Sequence, residues 1–166
     1  MSLRPILTWP NPCLSMVCRP IDVITPNIRA LATDMLDTMY DAPGRGLAAP
    51  QVGELLRLFV MDAGWKDGAP TPVVCINPDL LDREDAEETA GEGCLSLPGV
   101  TAQVTRATAI RMVWTDLDGI VHDERLSGFS ALCAQHEMDH LDGIMTLDRV
   151  DADQRAALIA EYEGLH

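Results

Sequence analysis

Helical periodicity marks one segment near the start of the chain. Between residues 26 and 41, apolar side chains recur three or four positions apart, at Ile28, Leu31, Met35 and Met39. This spacing places them on one face of a helix, and Thr25 followed by Pro26 is typical of a helix start. The pattern predicts a helix over residues 26–41 whose methionines pack in the core.

Strand-like patterns dominate the middle of the chain. Residues 56–61 and 73–76 are short apolar runs separated by a turn-rich link, and each run predicts a strand. Alternation over residues 104–114 and 120–126, which are joined across Asp118-Gly119, predicts an antiparallel hairpin. The charged run at residues 82–88 predicts a solvent-exposed loop.

Two further helices are predicted towards the end of the chain. Ser127 is placed to cap a helix that ends just before Gly143, since glycine often follows a helix end. Asp151 is placed to begin a last helix that carries Leu158 and Tyr162. The order helix, strands, helix, helix predicts an α+β fold, with mainly antiparallel sheets packed around a central helix and a C-terminal helix after it.

Length and composition favour one globular domain over residues 1–166. The chain is 47% hydrophobic, and this length suffices to bury a core. No stretch has the apolar run of a signal peptide or the length of a membrane span. Five cysteines, an odd number, do not suggest a disulfide framework. We therefore expect a cytoplasmic protein that does not bind membranes.

The charge of the chain argues against a nucleic-acid partner. There are 26 acidic and 12 basic residues, which gives a net charge of −14. A phosphate backbone would be repelled by such a surface unless a local basic patch overrode it, and the sequence contains no such patch.

One short motif carries metal-binding chemistry. In the segment Gln135–His140, the two histidines His136 and His140 are four residues apart with Glu137 between them. On a helix this H-E-x-x-H pattern points both imidazoles at one ion and places a general base beside it. The alternative is a polar helix face with two solvated histidines, and a third ligand would decide between them.

Two cysteines are candidates for that third ligand. Cys133 lies on the same helix face, but about 10 Å of helix rise separates residues 133 and 140, too far for one ion to bridge. Cys133 is better interpreted as a small residue beside the metal. Cys94 lies in a predicted glycine-rich loop, from which a thiolate can complete the set. The alternative for Cys94 is an inert buried thiol.

Three segments together resemble the motifs of the peptide deformylase family, and they occur in that family's order. They are Gly44-Arg45-Gly46-Leu47-Ala48-Ala49-Pro50-Gln51, Glu92-Gly93-Cys94-Leu95-Ser96 and Gln135-His136-Glu137-Met138-Asp139-His140-Leu141. The similarity extends over most of residues 4–150. It implies an α+β fold whose motif helix packs against antiparallel strands.

The resemblance implies a metal-dependent hydrolase of protein biosynthesis that removes the formyl group from N-formyl-methionyl peptides of nascent proteins. Cys94, His136 and His140 would hold the metal. It implies one divalent ion, Fe²⁺ in the cell, whereas purified protein could carry Zn²⁺, Ni²⁺ or Co²⁺, because a site of one sulfur and two nitrogens accepts all of them.

The same resemblance implies roles for further residues. Glu137 would be the general base, and the Gln51 side-chain amide and the Leu95 backbone N–H would bind the oxyanion. Substrate contacts are expected from Gly46, Arg45, Glu92, Phe129, Leu132 and Cys133. Core packing is the alternative for the last three.

Two features depart from the family pattern. Arg45 stands where the family usually has a small apolar residue, so it could narrow the substrate pocket or attract an acidic group. Alternatively, its stem covers the pocket edge and its charge faces solvent. The chain also ends in an acidic segment with Glu161 and Glu163, which does not support contact with the ribosome through a basic helix.

Three other functions stay open from the sequence. The first is a deformylase paralogue that acts on another N-formylated amine, which Arg45 motivates. The second is a module that binds N-terminal methionine without turnover, although Glu137 argues against it because a binder needs no general base. The third is a zinc endopeptidase, which H-E-x-x-H alone would permit but the setting of Cys94 does not favour.

Overall fold

The computed structural model describes residues 2–166 and has the α+β architecture that the sequence predicts. The helices are α1 (Pro26–Asp41), α2 (Gly128–Leu141) and α3 (Ala152–Leu165). The strands are β1 (Gly46–Ala48), β2 (Leu58–Met61), β3 (Val73–Arg83), β4 (Glu87–Cys94), β5 (Leu97–Ala107), β6 (Ala109–Thr115) and β7 (Val121–Ser127).

The strands form two antiparallel layers on either side of α2. Five strands make one sheet in the order β1-β2-β3-β6-β7, and β4 pairs with β5 as a separate hairpin. Leu47 pairs with Val60 across β1 and β2, and Cys94 pairs with Leu97 where the hairpin turns. Helix α2 contacts β1, β2, β5, β6 and β7. It is therefore the central helix that the sequence predicts.

The N-terminal helix has the predicted bounds and the predicted cap. The Thr25 side-chain oxygen accepts a hydrogen bond from the backbone N–H of Ile28 at 3.3 Å. Met35 and Met39 are fully buried in a core shared with β1, β2 and β3. The methionine pattern is thus a core pattern, as predicted.

The ends of the last two helices also lie where the sequence places them. Gly143 follows α2 with φ of +74°, and a Cβ there would lie 2.7 Å from the carbonyl of Ser15, so only glycine fits this position. Asp151 caps α3 by accepting a hydrogen bond from the Gln154 N–H at 2.7 Å. Ser127 precedes α2 as predicted, but its hydroxyl caps none of the described N–H groups.

The prediction of loops in two segments is wrong. The charged run at residues 82–88 is the end of β3, a short turn and the start of β4. The glycine-rich segment around Cys94 is the end of β4, not a loop, and residues 104–107 extend β5 rather than β6. This end of β3 and alternate positions of β4 face solvent, so charged residues and glycines are tolerated there. Without the apolar alternation typical of a strand, these segments are not recognised as strands from the sequence.

None of the helices within residues 2–166 has the length and apolar character needed to cross a membrane. Among the described residues, three groups of buried side chains fill the interior, one on each face of the large sheet and one between the β4-β5 hairpin and α3. The motif helix contributes to the first group through Ala131, Cys133, Ala134, Met138 and Leu141.

Candidate metal centre

Helix α2 places two imidazoles side by side in its last two turns. The ring centroids of His136 and His140 are 5.0 Å apart, as expected for side chains one helical turn apart. His140 is buried and His136 is partly buried. The alternative of two solvated histidines on a polar helix face is therefore wrong.

The β4-β5 hairpin brings a sulfur atom to these rings. Cys94 is the last residue of β4, and its Sγ lies 3.4 Å from His140 Nε2. The ligand atoms of Cys94, His136 and His140 all lie within 4.8 Å of one another. Ligands about 2.0–2.3 Å from a tetrahedral ion are about 3.3–3.8 Å apart. The three residues therefore fit one metal ion with small adjustments.

Glu92 fixes the orientation of His136. Its carboxylate accepts a hydrogen bond from His136 Nδ1 at 2.9 Å, so Nε2 is the ring nitrogen that remains to bind a metal ion. Arg106 holds the same carboxylate through two hydrogen bonds, of 2.6 and 3.0 Å, and donates a third to Asp139 at 3.0 Å. A carboxylate behind a histidine is the usual arrangement around a metal ligand.

Burial and neighbouring charges set the protonation of these groups. Burial, together with the positive charges of His136 and Arg106, lowers the pKa of His140 well below its usual value, so its ring is neutral, as a ligand requires. Burial alone would raise the pKa of Glu92, but the hydrogen bonds from His136 and Arg106 outweigh it and lower the pKa. Glu92 is therefore ionised.

His136 itself responds to competing influences. Burial opposes its charged form, but the Glu137 carboxylate and the hydrogen bonds to Cys94 and Glu92 outweigh burial and raise its pKa well above the usual value. A metal ion held by His136 would have to displace that proton, so metal binding would release protons into solution.

Glu137 lies beside the candidate ligands in a desolvated position. It is only 3% exposed, and Oε2 is 4.0 Å from His136 Nε2. Burial raises its pKa to about 7, although the charges of His136 and Arg106 oppose that rise. Its Oε1 has no partner among the described residues. A carboxyl group with these properties can both accept and return a proton near neutral pH.

Gln51 and Leu95 adjoin the thiolate. The Gln51 Oε1 accepts from the Ala48 N–H at 2.9 Å, which orients its Nε2 towards Ser96 Oγ at 3.0 Å and Cys94 Sγ at 3.7 Å. Leu95 occupies the turn between β4 and β5 directly after Cys94. Both residues line the cavity described next.

A cavity of about 690 Å³ opens onto His136 and Glu137. Leu132 and Cys133 line it from α2, so both predicted wall residues are placed there, and Cys133 is also a core residue. Phe129 lines the cavity with half of its surface exposed, and its alternative of core packing is wrong.

Gly46 lies against the general-base candidate. A Cβ at this position would be 2.5 Å from Glu137 Oε2 and 3.0 Å from Cys133 Sγ. The absence of a side chain therefore lets α2 approach β1 closely enough to bring Glu137 into the cavity.

The Arg45 side chain does not block the cavity, and it is not fully solvated either. Its Nη1 donates to the Ala63 carbonyl at 3.0 Å, and its guanidinium lies 4.8 Å from the centroid of the Phe129 ring. The side chain retains 28% exposure. Arg45 and Phe129 thus form one wall of the cavity mouth.

The sequence predicts that Glu92 contacts the substrate. It lines the cavity, but both of its oxygens are bound by Arg106 and His136, which favours an orienting role. Arg106, which is 6% exposed, was not predicted as a site residue. The sequence does contain a pattern that indicates its burial, because the inward-facing residues of β5 occur at alternate positions: Val100, Ala102, Val104 and Arg106.

Comparison with known sequences agrees with this geometry. The family model described as polypeptide deformylase matches residues 3–156. A peptide deformylase of Nitrobacter hamburgensis is 42% identical over 166 residues, covering 98% of this chain and 95% of the relative. One of Mesorhizobium japonicum is 40% identical over 165 residues, covering 99% and 94%.

Solved structures give the same result. A peptide deformylase from Legionella pneumophila superposes with a TM-score of 0.92 at 34% identity, covering 98% of this chain and 95% of that one. A peptide deformylase from Ehrlichia chaffeensis in complex with actinonin superposes with a TM-score of 0.93 at 32% identity, covering 100% and 99%.

Proposed function

The chain belongs to the polypeptide deformylase family, metal-dependent enzymes that remove the N-formyl group from nascent peptides, and on this premise we propose which of its residues carry the reaction. The observation that supports the assignment is the meeting of Cys94, His136 and His140 beside the buried carboxyl group of Glu137. We assign the first three as metal ligands and Glu137 as the general base.

A divalent metal held by these ligands supplies Lewis acidity, which brings the pKa of water towards neutrality and polarises a carbonyl group. Glu137 accepts one proton from the attacking water as its oxygen forms a bond to the formyl carbon. The carbon–nitrogen bond then breaks, and Glu137 returns the proton to the leaving amine. The immediate products are formic acid and a free N-terminal amine; the acid then loses its proton, which the amine takes up, so formate and a protonated N-terminus leave with atoms and charges balanced.

The negative charge that develops on the formyl oxygen needs hydrogen-bond donors. Gln51 Nε2 is oriented towards Cys94 by the Ala48 hydrogen bond, and it is our candidate for one donor. The backbone N–H of Leu95 is the second candidate, because it follows the proposed sulfur ligand in the hairpin turn. Donors fixed before reaction stabilise such an oxyanion without reorganisation.

The rest of the peptide is proposed to bind along the cavity. Leu132, Cys133 and Phe129 offer an apolar wall for a methionine side chain. Gly46 lies at the start of β1, an edge strand of the large sheet, and an extended peptide can pair with such an edge.

Metal identity and cellular location are also proposals. We propose Fe²⁺ in the cell, and Zn²⁺, Ni²⁺ or Co²⁺ as substitutes in purified protein, because one thiolate and two imidazoles suit all of them. A cytoplasmic location is supported by five cysteines that form no disulfide among residues 2–166. The acidic end of α3 does not support a ribosome contact driven by phosphate attraction.

We propose that residues 1–166 act as one catalytic domain. In support, the buried core includes residues from Leu14, before α1, to Tyr162 in α3, and Cys94 packs against the cluster that contains both. Met1 lies outside the residues that the structure describes.

The test is formate release from formyl-Met-Ala-Ser by anaerobically prepared, iron-loaded protein. We expect turnover, and a loss of roughly 10³-fold or more in kcat for Glu137→Ala with its metal content unchanged, because both proton transfers are removed. Turnover that survives this substitution would contradict the role of Glu137. Tight binding of the peptide without any formate release would instead favour a methionine-binding module.

A further inference from the structure

The charged groups that line the cavity fall into two sets. Glu92, His136 and Glu137 lie at its inner end and contact one another or Arg106. The other two, Arg45 and Lys66, lie on partly or fully exposed residues at its mouth. We call this pair the cationic rim.

The rim is a local exception in an acidic protein. The chain carries a net charge of −14, and Lys66 is its only lysine. Among residues 2–166, no carboxylate lies within salt-bridge distance of the Lys66 amine, whose nearest aromatic neighbour is the Trp65 ring at 5.7 Å. The Lys66 charge is therefore available to a molecule that enters the cavity.

Arg45 is held at the rim but keeps most of its binding capacity. Its one described carboxylate neighbour is Asp67, at 3.8 Å and with 78% of the Asp67 side chain exposed, so solvent screens that pair. The bond to Ala63 and the stacking on Phe129 use one N–H and one face of the guanidinium. An arginine has five N–H donors, so others remain for a carboxylate.

We propose that the cationic rim selects formyl-methionyl peptides with an acidic residue directly after the methionine. The inference rests on the proposed function, since it assumes that the formyl group lies at the metal and the peptide leaves through the mouth. A peptide carboxylate there meets Arg45 and Lys66, whereas elsewhere the protein surface repels it. Each exposed contact of this kind is worth roughly a two- to fivefold change in affinity.

The experiment compares kcat/KM for formyl-Met-Asp-Ser-amide, formyl-Met-Ala-Ser-amide and formyl-Met-Lys-Ser-amide with the metal-loaded enzyme at low ionic strength. The aspartate peptide is expected to be best and the lysine peptide worst, with the difference carried by KM. In Lys66→Gln and in Arg45→Gln the aspartate-to-alanine ratio is expected to fall roughly two- to fivefold each, and 0.5 M salt is expected to reduce it in the unmodified enzyme.

Arg125→Gln is the matched control, because it also removes one positive charge but from an exposed residue of β7 paired with Glu84, outside the cavity lining. Its ratios should equal those of the unmodified enzyme. Equal kcat/KM for all three peptides would overturn the rim proposal while leaving the proposed function intact. Absence of turnover on every peptide would overturn the proposed function, and the rim proposal with it.

Discussion

Glu137 combines two properties that conflict in most proteins, because it is a titratable group and it is nearly inaccessible. Its 3% exposure explains why burial raises its pKa to about 7. Without a metal, the folded state holds a proton on Glu137 at pH values where the unfolded chain, with a pKa of 4.5, has already lost it. The contribution of Glu137 to stability therefore falls as pH rises from 4.5 through about 7.

This linkage predicts a measurable difference between the metal-free protein and Glu137→Gln. Between pH 5.5 and 7.5, the unmodified protein should lose about 2 kcal/mol more of its free energy of unfolding than the variant, since each pKa unit corresponds to about 1.4 kcal/mol. His136, whose pKa is also raised, changes stability in the same direction. Urea unfolding with a chelator present measures the free energy of unfolding of both proteins. An identical pH dependence in the two would contradict the raised pKa of the buried Glu137 carboxyl group.

Gly46 provides a second test at single-residue scale. Gly46→Ala would place a Cβ 2.5 Å from Glu137 Oε2, so the carboxyl group has to move. We expect a loss of kcat on the order of 100-fold, as for other displacements of about 1 Å in catalytic groups, with metal stoichiometry unchanged. Formate release and metal analysis measure the two quantities.

Gly64→Ala is the control for that substitution, since a Cβ at Gly64 meets no atom within 4 Å. It should leave kcat unchanged. If Gly46→Ala kept the activity of Gly64→Ala, the close approach of β1 to α2 would not be needed for catalysis.

At the scale of elements, the site depends on the β4-β5 hairpin meeting α2. The contact is stabilised by a buried charge network in which Arg106 of β5 joins Glu92 of β4 to Asp139 of α2. Arg149 extends it, with hydrogen bonds of 2.7 and 3.0 Å to Asp139. The network orients His136 and fixes the hairpin that carries Cys94.

This arrangement predicts that Glu92→Gln weakens metal binding. A neutral amide polarises the His136 ring less and competes less well for Arg106, so we expect about a 10- to 100-fold loss of metal affinity. Competition with a chromogenic chelator measures it. Glu88→Gln, four residues earlier on β4 and exposed, should bind metal as the unmodified protein does, and equal affinities in both variants would contradict the orienting role.

The elements also show what the sequence could and could not predict. Helix α1 was predictable to its ends, because Thr25, Pro26 and the apolar period all act locally. The hairpin strand that carries Cys94 was not, because its glycines and charges face solvent and its stability comes from pairing with β5. The ion-pair partners of Glu92 are far from it in sequence, so no local sequence pattern predicts these contacts.

For the whole molecule, the net charge and the charge at the cavity mouth lead to different conclusions about which ligands can bind. The acidic total argued against nucleic acid from the sequence alone. Only the folded chain shows that Arg45 and Lys66 line one cavity mouth. The motif residues were predictable as a set, because their chemistry requires them to lie close together. Arg45 and Lys66 are 21 positions apart in sequence and share no motif, so only the structure shows that they are neighbours.

The most direct test of the account is X-ray absorption at the metal edge, with the protein loaded with one equivalent of zinc. We predict one sulfur at about 2.3 Å and two nitrogens at about 2.0–2.1 Å, with the sulfur scattering absent in Cys94→Ser. A coordination shell that contains no sulfur in the unmodified protein, or that keeps its sulfur in Cys94→Ser, would contradict the ligand set on which the proposed chemistry depends.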